Sequence, residues 1–148
     1  MLAKGLKPKA KIISIKEILP SKRIAEALHL EEGEKVMRIE RLRSANEEII
    51  CILISYLPSR LRIKLEDDFT GSLYDLLETK YEIPIVKGDQ FIEASAANKY
   101  EAGLLGVRRG FPVLCMTRVT YTTGNKPIEL VEGIYRADRY KYGITLKR

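Results

Sequence analysis

No apolar run in the 148 residues approaches the eighteen or so needed to cross a bilayer, so the sequence excludes a helical membrane span. The start, Met1-Leu2-Ala3-Lys4-Gly5, leads into a lysine-dotted stretch without the apolar centre of a secretory leader, and a cytoplasmic location is expected. Histidine is nearly missing. The one present, His29, excludes a histidine-built metal cluster, and it falls late in an expected helix, where a surface or capping role suits it better than a catalytic triad. No Gly-x-x-x-x-Gly-Lys-Ser/Thr string occurs, and Gly103, Gly106 and Gly110 read as helix-end and turn residues rather than a dinucleotide loop. No cofactor is expected. Cysteine is limited to Cys51 and Cys115, both inside apolar runs; buried free thiols are the first account of them and a disulfide the second. Zinc-finger spacing and aromatic-basic interleaving are absent as well. The net charge of +6 is scattered over every segment, so specific nucleic-acid binding by this chain is not expected.

What is there suits one globular domain: 45% hydrophobic and 31% charged residues over a length that can bury a real core. Residues 1–11 are polar and basic around Pro8 and read as an arm or linker, with the domain spanning 12–148. An edge strand is expected over Lys11–Ile18, then a helix capped by Ser21 with Ile24, Ala25, Ala27 and Leu28 on its apolar side. Ser59–Thr70 is charged and irregular. Ser72-Leu73-Tyr74-Asp75 resembles a capping box with Asp for Glu and opens a second helix, which Tyr81-Glu82-Ile83-Pro84 stops. Ile85–Ser95 reads as a strand, Asn98-x-x-Glu101 caps a third helix ending at Gly106, and Val113–Thr122 and Pro127–Arg136 form a hairpin about Thr123-Gly124-Asn125-Lys126. A last short strand is expected over Ile144–Lys147. The fold class is α+β, an antiparallel sheet with short helices between the hairpins.

The stretch from Val36 to Pro58 carries the most information. It reads as a hairpin turning at Ser44–Glu48, with a return arm, Ile49–Ser55, apolar and β-branched enough to be covered on both faces. Period-two alternation puts Met37, Ile39, Arg41 and Arg43 on one face. Arginines two apart on a strand lie about 6.6 Å from each other and repel by roughly 2.5 kcal/mol at an effective dielectric of about 20. Glu47 or Glu48 could offset that repulsion, and so could a bound phosphate or carboxylate, which the guanidinium fork matches bidentately. Glu129, Val131, Gly133 and Tyr135 share a face of the last hairpin, whereas Glu132 points away from Glu129, so the two carboxylates form an acid–base pair only if a bulge intervenes. The residues make no positive case for an enzyme.

The strings Arg41-Leu42-Arg43-Ser44-Ala45-Asn46-Glu47-Glu48, Ser55-Tyr56-Leu57-Pro58, Ser72-Leu73-Tyr74, Arg118-Val119-Thr120-Tyr121, Pro127-Ile128-Glu129 and Tyr135-Arg136-Ala137-Asp138-Arg139-Tyr140 follow one another as in the UTRA domain. That module is the effector-binding part of the HutC subfamily of GntR-type bacterial transcription regulators, and the resemblance runs from about Ile12 to the end. It implies a chorismate-lyase-like fold, a homodimer and a pocket for a small acidic metabolite. In sugar-phosphate-sensing members the two arginines of the Arg-x-Arg motif and the serine opening the Ser-Leu-Tyr helix hold the phosphate; these match Arg41, Arg43 and Ser72. The amides at a helix start, which favour anions, point the same way. Members also turn the glutamate and tyrosine of the last hairpin toward the ligand, matching Glu129 and Tyr135.

Two departures bear on function. Where the family often carries a glutamate that meets ligand hydroxyls, two residues before the Ser-Tyr-Leu-Pro string, this chain has Leu53, a less polar wall. The family's winged helix-turn-helix is also not among these residues, so the chain is expected to be an excised or a naturally solitary effector domain, meeting DNA only through a separate module. A sensor is expected; a chorismate-lyase-like enzyme acting on a small carboxylate is the alternative.

Overall fold

The computed structural model describes residues 9–148. Of the arm expected over residues 1–11, residues 1–8 lie outside the described residues, and Lys9–Lys11 already belong to the first strand. In chain order the elements are β1 (Lys9–Ile18), α1 (Lys22–Ala27), β2 (Val36–Ala45), β3 (Glu48–Pro58), α2 (Leu73–Thr79), β4 (Lys87–Ala96), α3 (Lys99–Leu105), β5 (Pro112–Thr122) and β6 (Lys126–Arg136). The strands form one six-stranded sheet in the order β1-β2-β3-β6-β5-β4, every neighbouring pair antiparallel. The apolar return arm of the first hairpin is thus β3, an inner strand, as its composition requires.

The helices are short and held at their ends by side chains. Ser21 accepts from the Ile24 amide at 3.3 Å, Ser72 from that of Asp75 at 3.2 Å and Asn98 from that of Glu101 at 2.8 Å. At α3 the bond is returned, since Glu101 accepts from the Asn98 amide at 3.0 Å. Helices of six and seven residues cannot stand alone in water and are fixed by packing. Helix α2 lies on one face of the sheet, burying Leu73 and Leu77 against Met37, Ile39 and Leu57. Helices α1 and α3 lie on the other, Ile24 and Leu28 against Val36, Tyr56 and Leu130, and Ala102 and Leu105 against Leu42, Ile52 and Val113. Among the described residues no helix is long and apolar enough to cross a membrane.

Three features depart from the sequence reading. Ile144–Lys147 forms no strand; Ile144 is 66% and Leu146 81% exposed, because alternation creates a strand only where an open edge supplies ladder partners, and this tail meets none. The fourth strand begins at Lys87 rather than Ile85, and Ile83 and Ile85 pack instead against the α2 core. Phe69, in the segment read as a charged connection, is 2% exposed and joins that same core. A lone aromatic among acids has no periodicity to announce it. Cys51 is buried and Cys115 half-buried, both free thiols; they sit on opposite faces, which rules out a bridge between them.

Phe69 provides a direct check. Replacing it with Ala should cost about 3–5 kcal/mol in a urea titration, as for other buried aromatics. A loss below about 1 kcal/mol would show that the connection does not seal the α2 core.

Candidate functional site

Strand pairing fixes which side chains share a face. Arg41 stands opposite Leu53, Arg43 opposite Cys51 and Ile39 opposite Ser55. Across β3 these continue to Gly133, Tyr135 and Val131, and across β6 to Met116, Leu114 and Arg118, with Thr120 opposite Glu129. Arg41, Arg43, Leu53, Glu129 and Tyr135 therefore lie on the same side, the side that α2 covers only at one end. Ser72 caps α2 at that boundary, next to Gly71, whose carbonyl accepts from Arg41. The six residues the sequence singled out are brought to one surface. Beyond α2 the floor is made by Leu53, Met116 and Val131, with Ile92 and Tyr135 against them. Gly133 lets the Tyr135 ring, Leu53 and Met116 close over it, since a Cβ there would come within 2.7 Å of that ring.

Glu40 and Arg41, adjacent on β2, show how differently the two faces treat buried charge. Glu40 is 4% exposed and fully served: Arg38 donates to it at 3.2 Å and Tyr100 at 2.6 Å. Arg41, 3% exposed, reaches only the carbonyls of Phe69 and Gly71, at 3.4 and 3.5 Å, and its Nε is buried without a partner. Burial first, and then the charge of Arg43, holds its pKa below the ordinary arginine value, with Glu129 acting the other way. Among the described residues neither Arg41 nor Arg43 forms an ion pair; Glu48 is taken by Arg139 at 2.6 Å. The offset by Glu47 or Glu48 that the sequence left open is not made.

Further polar groups complete the surface. The Tyr74 hydroxyl lies 2.7 Å from Thr120 Oγ1, which donates to Glu129 at 3.4 Å. Burial, and then the Glu129 charge, pushes the Tyr74 phenol up to about 12, so it remains a donor. Burial likewise raises Tyr135, and pushes the Cys51 thiol up to about 11, leaving it protonated and unreactive. Ser55 Oγ is buried with no partner. Arg118 holds its guanidinium 5.6 Å from the Tyr74 ring centre and donates from Nη1 to Gln90 at 3.0 Å, while its Nε is buried and unpartnered. Tyr140 stacks on Tyr135, ring centres 4.2 Å apart. Tyr74, Arg118, Thr120 and Tyr140 lie in motifs of the sequence that do not by themselves place these residues in the site. Parity with Glu129 across the last hairpin was the signal available for Arg118 and Thr120.

An open cleft of about 420 Å³ elsewhere is lined by His29, Arg60, Asn125 and Lys126. Its arginine is already committed, donating to the carbonyls of Leu28, His29 and Pro127 and pairing with Glu34 at 3.6 Å. His29 sits just past α1 with a positive φ of 52°. The buried atoms without partners beside that cleft, Glu34 Oε2 and Ser59 Oγ, belong to no cation, unlike Arg41 Nε on the α2 face.

Comparison with known proteins agrees with this geometry. The model of the UTRA domain matches residues 3–141. The HTH-type transcriptional repressor NagR of Bacillus subtilis is 34% identical over 143 residues, covering 96% of this chain and 59% of that protein. The regulator Rv0792c of Mycobacterium tuberculosis is 29% identical, covering 100% of this chain and 56% of its own length. The chain thus spans less than two thirds of these relatives. A GntR-family transcriptional regulator from Enterococcus faecalis superposes with a TM-score of 0.86 at 28% identity, over 93% of this chain and 99% of that one. The effector domain of PhnF from Mycobacterium smegmatis, at 22% identity, shares the fold with a TM-score of 0.91, over 99% of this chain and 91% of that one. With its sheet order, its motifs and nearly its whole length accounted for, the chain belongs to the UTRA family, the effector-binding domain of GntR-family transcriptional regulators.

Proposed function

We propose that the α2 face binds a small acidic metabolite, with Arg41 and Arg43 holding its anionic group beside Ser72 and with Leu53, Glu129 and Tyr135 meeting its body. The observation that carries this reading is Arg41, a guanidinium 3% exposed with a buried, unpartnered Nε and, among the described residues, no ion pair. Burying a charge without a counterion is costly. A phosphate or carboxylate between the two arginines supplies the missing acceptors and removes their mutual repulsion. The ligand is then the group that completes the site. The strand hydrogen bonds of Arg41 and Arg43 are made without it, so the pocket is organised beforehand.

In this reading the domain is a sensor within a longer regulator. Two copies form a homodimer, ligand affinity differs between two arrangements of that dimer, and a separate winged helix-turn-helix responds through its hold on DNA. The exposed, alternating tail from Tyr142 to Leu146 supports the dimer, because it presents apolar side chains and free backbone groups to a neighbour. No reaction is assigned to this face.

Three outcomes follow. Arg41→Ala and Arg43→Ala should each weaken binding of an identified acidic effector at least about tenfold by calorimetry, since hydrogen bonds to charged groups contribute about 1.5–3 kcal/mol. Arg43→Ala should leave the apo protein as stable as before or slightly more so, and wild-type affinity in both variants would refute the clamp. Leu53→Glu should move preference toward hydroxyl-rich phosphosugars and away from simple anions, because the new carboxylate stands opposite Arg41 and competes for it. An unchanged order of ligands would place position 53 outside the site. Light scattering at tens of micromolar should give twice the chain mass of 16.9 kDa; a monomer mass would remove the dimer from the mechanism.

A further inference from the structure

The arginine pair stands at one end of this floor and Arg118 at the other. Arg41 and Arg43 are on β2, Arg118 is on β5, and β3 and β6 run between them. Three inter-strand steps put their backbones roughly 14 Å apart. The intervening floor is apolar, Leu53 and Val131 with Gly133, interrupted by the unpartnered hydroxyl of Ser55. Arg118 repeats the features of Arg41. Its Nε is buried without a partner, and among the described residues no acid pairs with it. It is also held in place: Gln90 takes Nη1 at 3.0 Å, the Tyr74 ring supports the guanidinium, and the absence of a side chain at Gly88 leaves room for its stem, since a Cβ there would meet Arg118 Cδ at 3.2 Å. An arginine packed this way but given no anion is a binding group without its ligand.

Charge balance argues the same point. On the four inner strands this face carries Arg41, Arg43 and Arg118 against Glu129 and Glu48; Glu48 is held by Arg139, which leaves an excess of two positive charges. One monoanionic group at the arginine pair leaves Arg118 unmet. We propose that the pocket takes a ligand with an acidic group at each end, one at Arg41 and Arg43 and the other at Arg118, joined by a mainly apolar spacer lying along the side chains of Leu53, Met116 and Tyr135. This rests on the anion-holding reading of Arg41 and Arg43 and adds the second end. Leu53 fits it, because a spacer without hydroxyls needs no acceptor from the wall.

The test uses ω-phosphonoalkanoates of three to eight carbons, each paired with the alkylphosphonate of equal length, titrated calorimetrically into the wild-type chain, Arg118→Met and Arg41→Ala. At the length that spans the floor, the wild type should bind the diacid at least about tenfold more tightly than its alkylphosphonate. Arg118→Met should abolish that margin by lowering diacid affinity about tenfold more than alkylphosphonate affinity, Arg118→Lys should keep part of it, and Arg41→Ala should weaken both ligands. Equal affinity for diacid and monoacid at every length, or an undiminished margin in Arg118→Met, overturns the second end and leaves the arginine pair standing. Failure of every phosphonate to bind at millimolar concentration overturns the arginine pair as well. Should Arg118→Met not fold, the wild-type ratio alone decides.

Discussion

The register of β3 between β2 and β6 is the constraint on which the rest depends. Each strand shows alternate side chains to opposite faces, so a slip of one residue would exchange Leu53, Cys51 and Ser55 for Ile52, Ile54 and Tyr56. The core under α1 and α3 would lose its floor, and Ile52, Ile54 and Tyr56 would stand beside the arginines of β2. Burial on both faces of β3 makes such a slip prohibitive: Ile52 and Leu57 are at most 1% exposed, on opposite sides. The same packing that stabilises the sheet therefore sets the composition of the binding face.

The sheet divides its labour between its sides. Under α1 and α3 buried charge is compensated, Glu40 by Arg38 and Tyr100, and that side reads as structure. Under α2 charge is concentrated and left short of acceptors at Arg41 and Arg118, beside an apolar floor. Unmet hydrogen-bonding capacity lowers the stability of the empty domain and raises the free energy available to a ligand that meets it. A sensor gains from this trade, since its response is limited by how differently it holds ligand in its two states.

Much of this was legible in the chain. Ser21, Ser72 and Asn98 mark the helix starts, because capping is a local bond between residues three apart. The composition of Ile49–Ser55 marks an inner strand, and parity alone puts Met37, Ile39, Arg41 and Arg43 together and parts Glu129 from Glu132. The order of motifs from Arg41 to Tyr140 carries the family, and the comparison with family models bears it out.

Other features depend on what lies opposite in space. Whether Arg41 and Arg43 are neutralised by Glu47 or Glu48 could not be read from spacing; the hairpin geometry gives Glu48 to Arg139, ninety-one residues away. Phe69 joins the core because α2 folds back over β2, not through any pattern around it. The alternating tail from Tyr142 to Leu146 has the sequence of a strand and pairs with neither edge of the sheet, β1 or β4. Arg118 acquires its place only when β5 pairs with β6 and Gln90 and Tyr74 close on it. The sequence by itself determined the local elements, their faces and their kinship, because these rest on bonds between near neighbours and on period. Only the tertiary structure decided which buried charges find partners, because that depends on contacts between residues far apart in the chain.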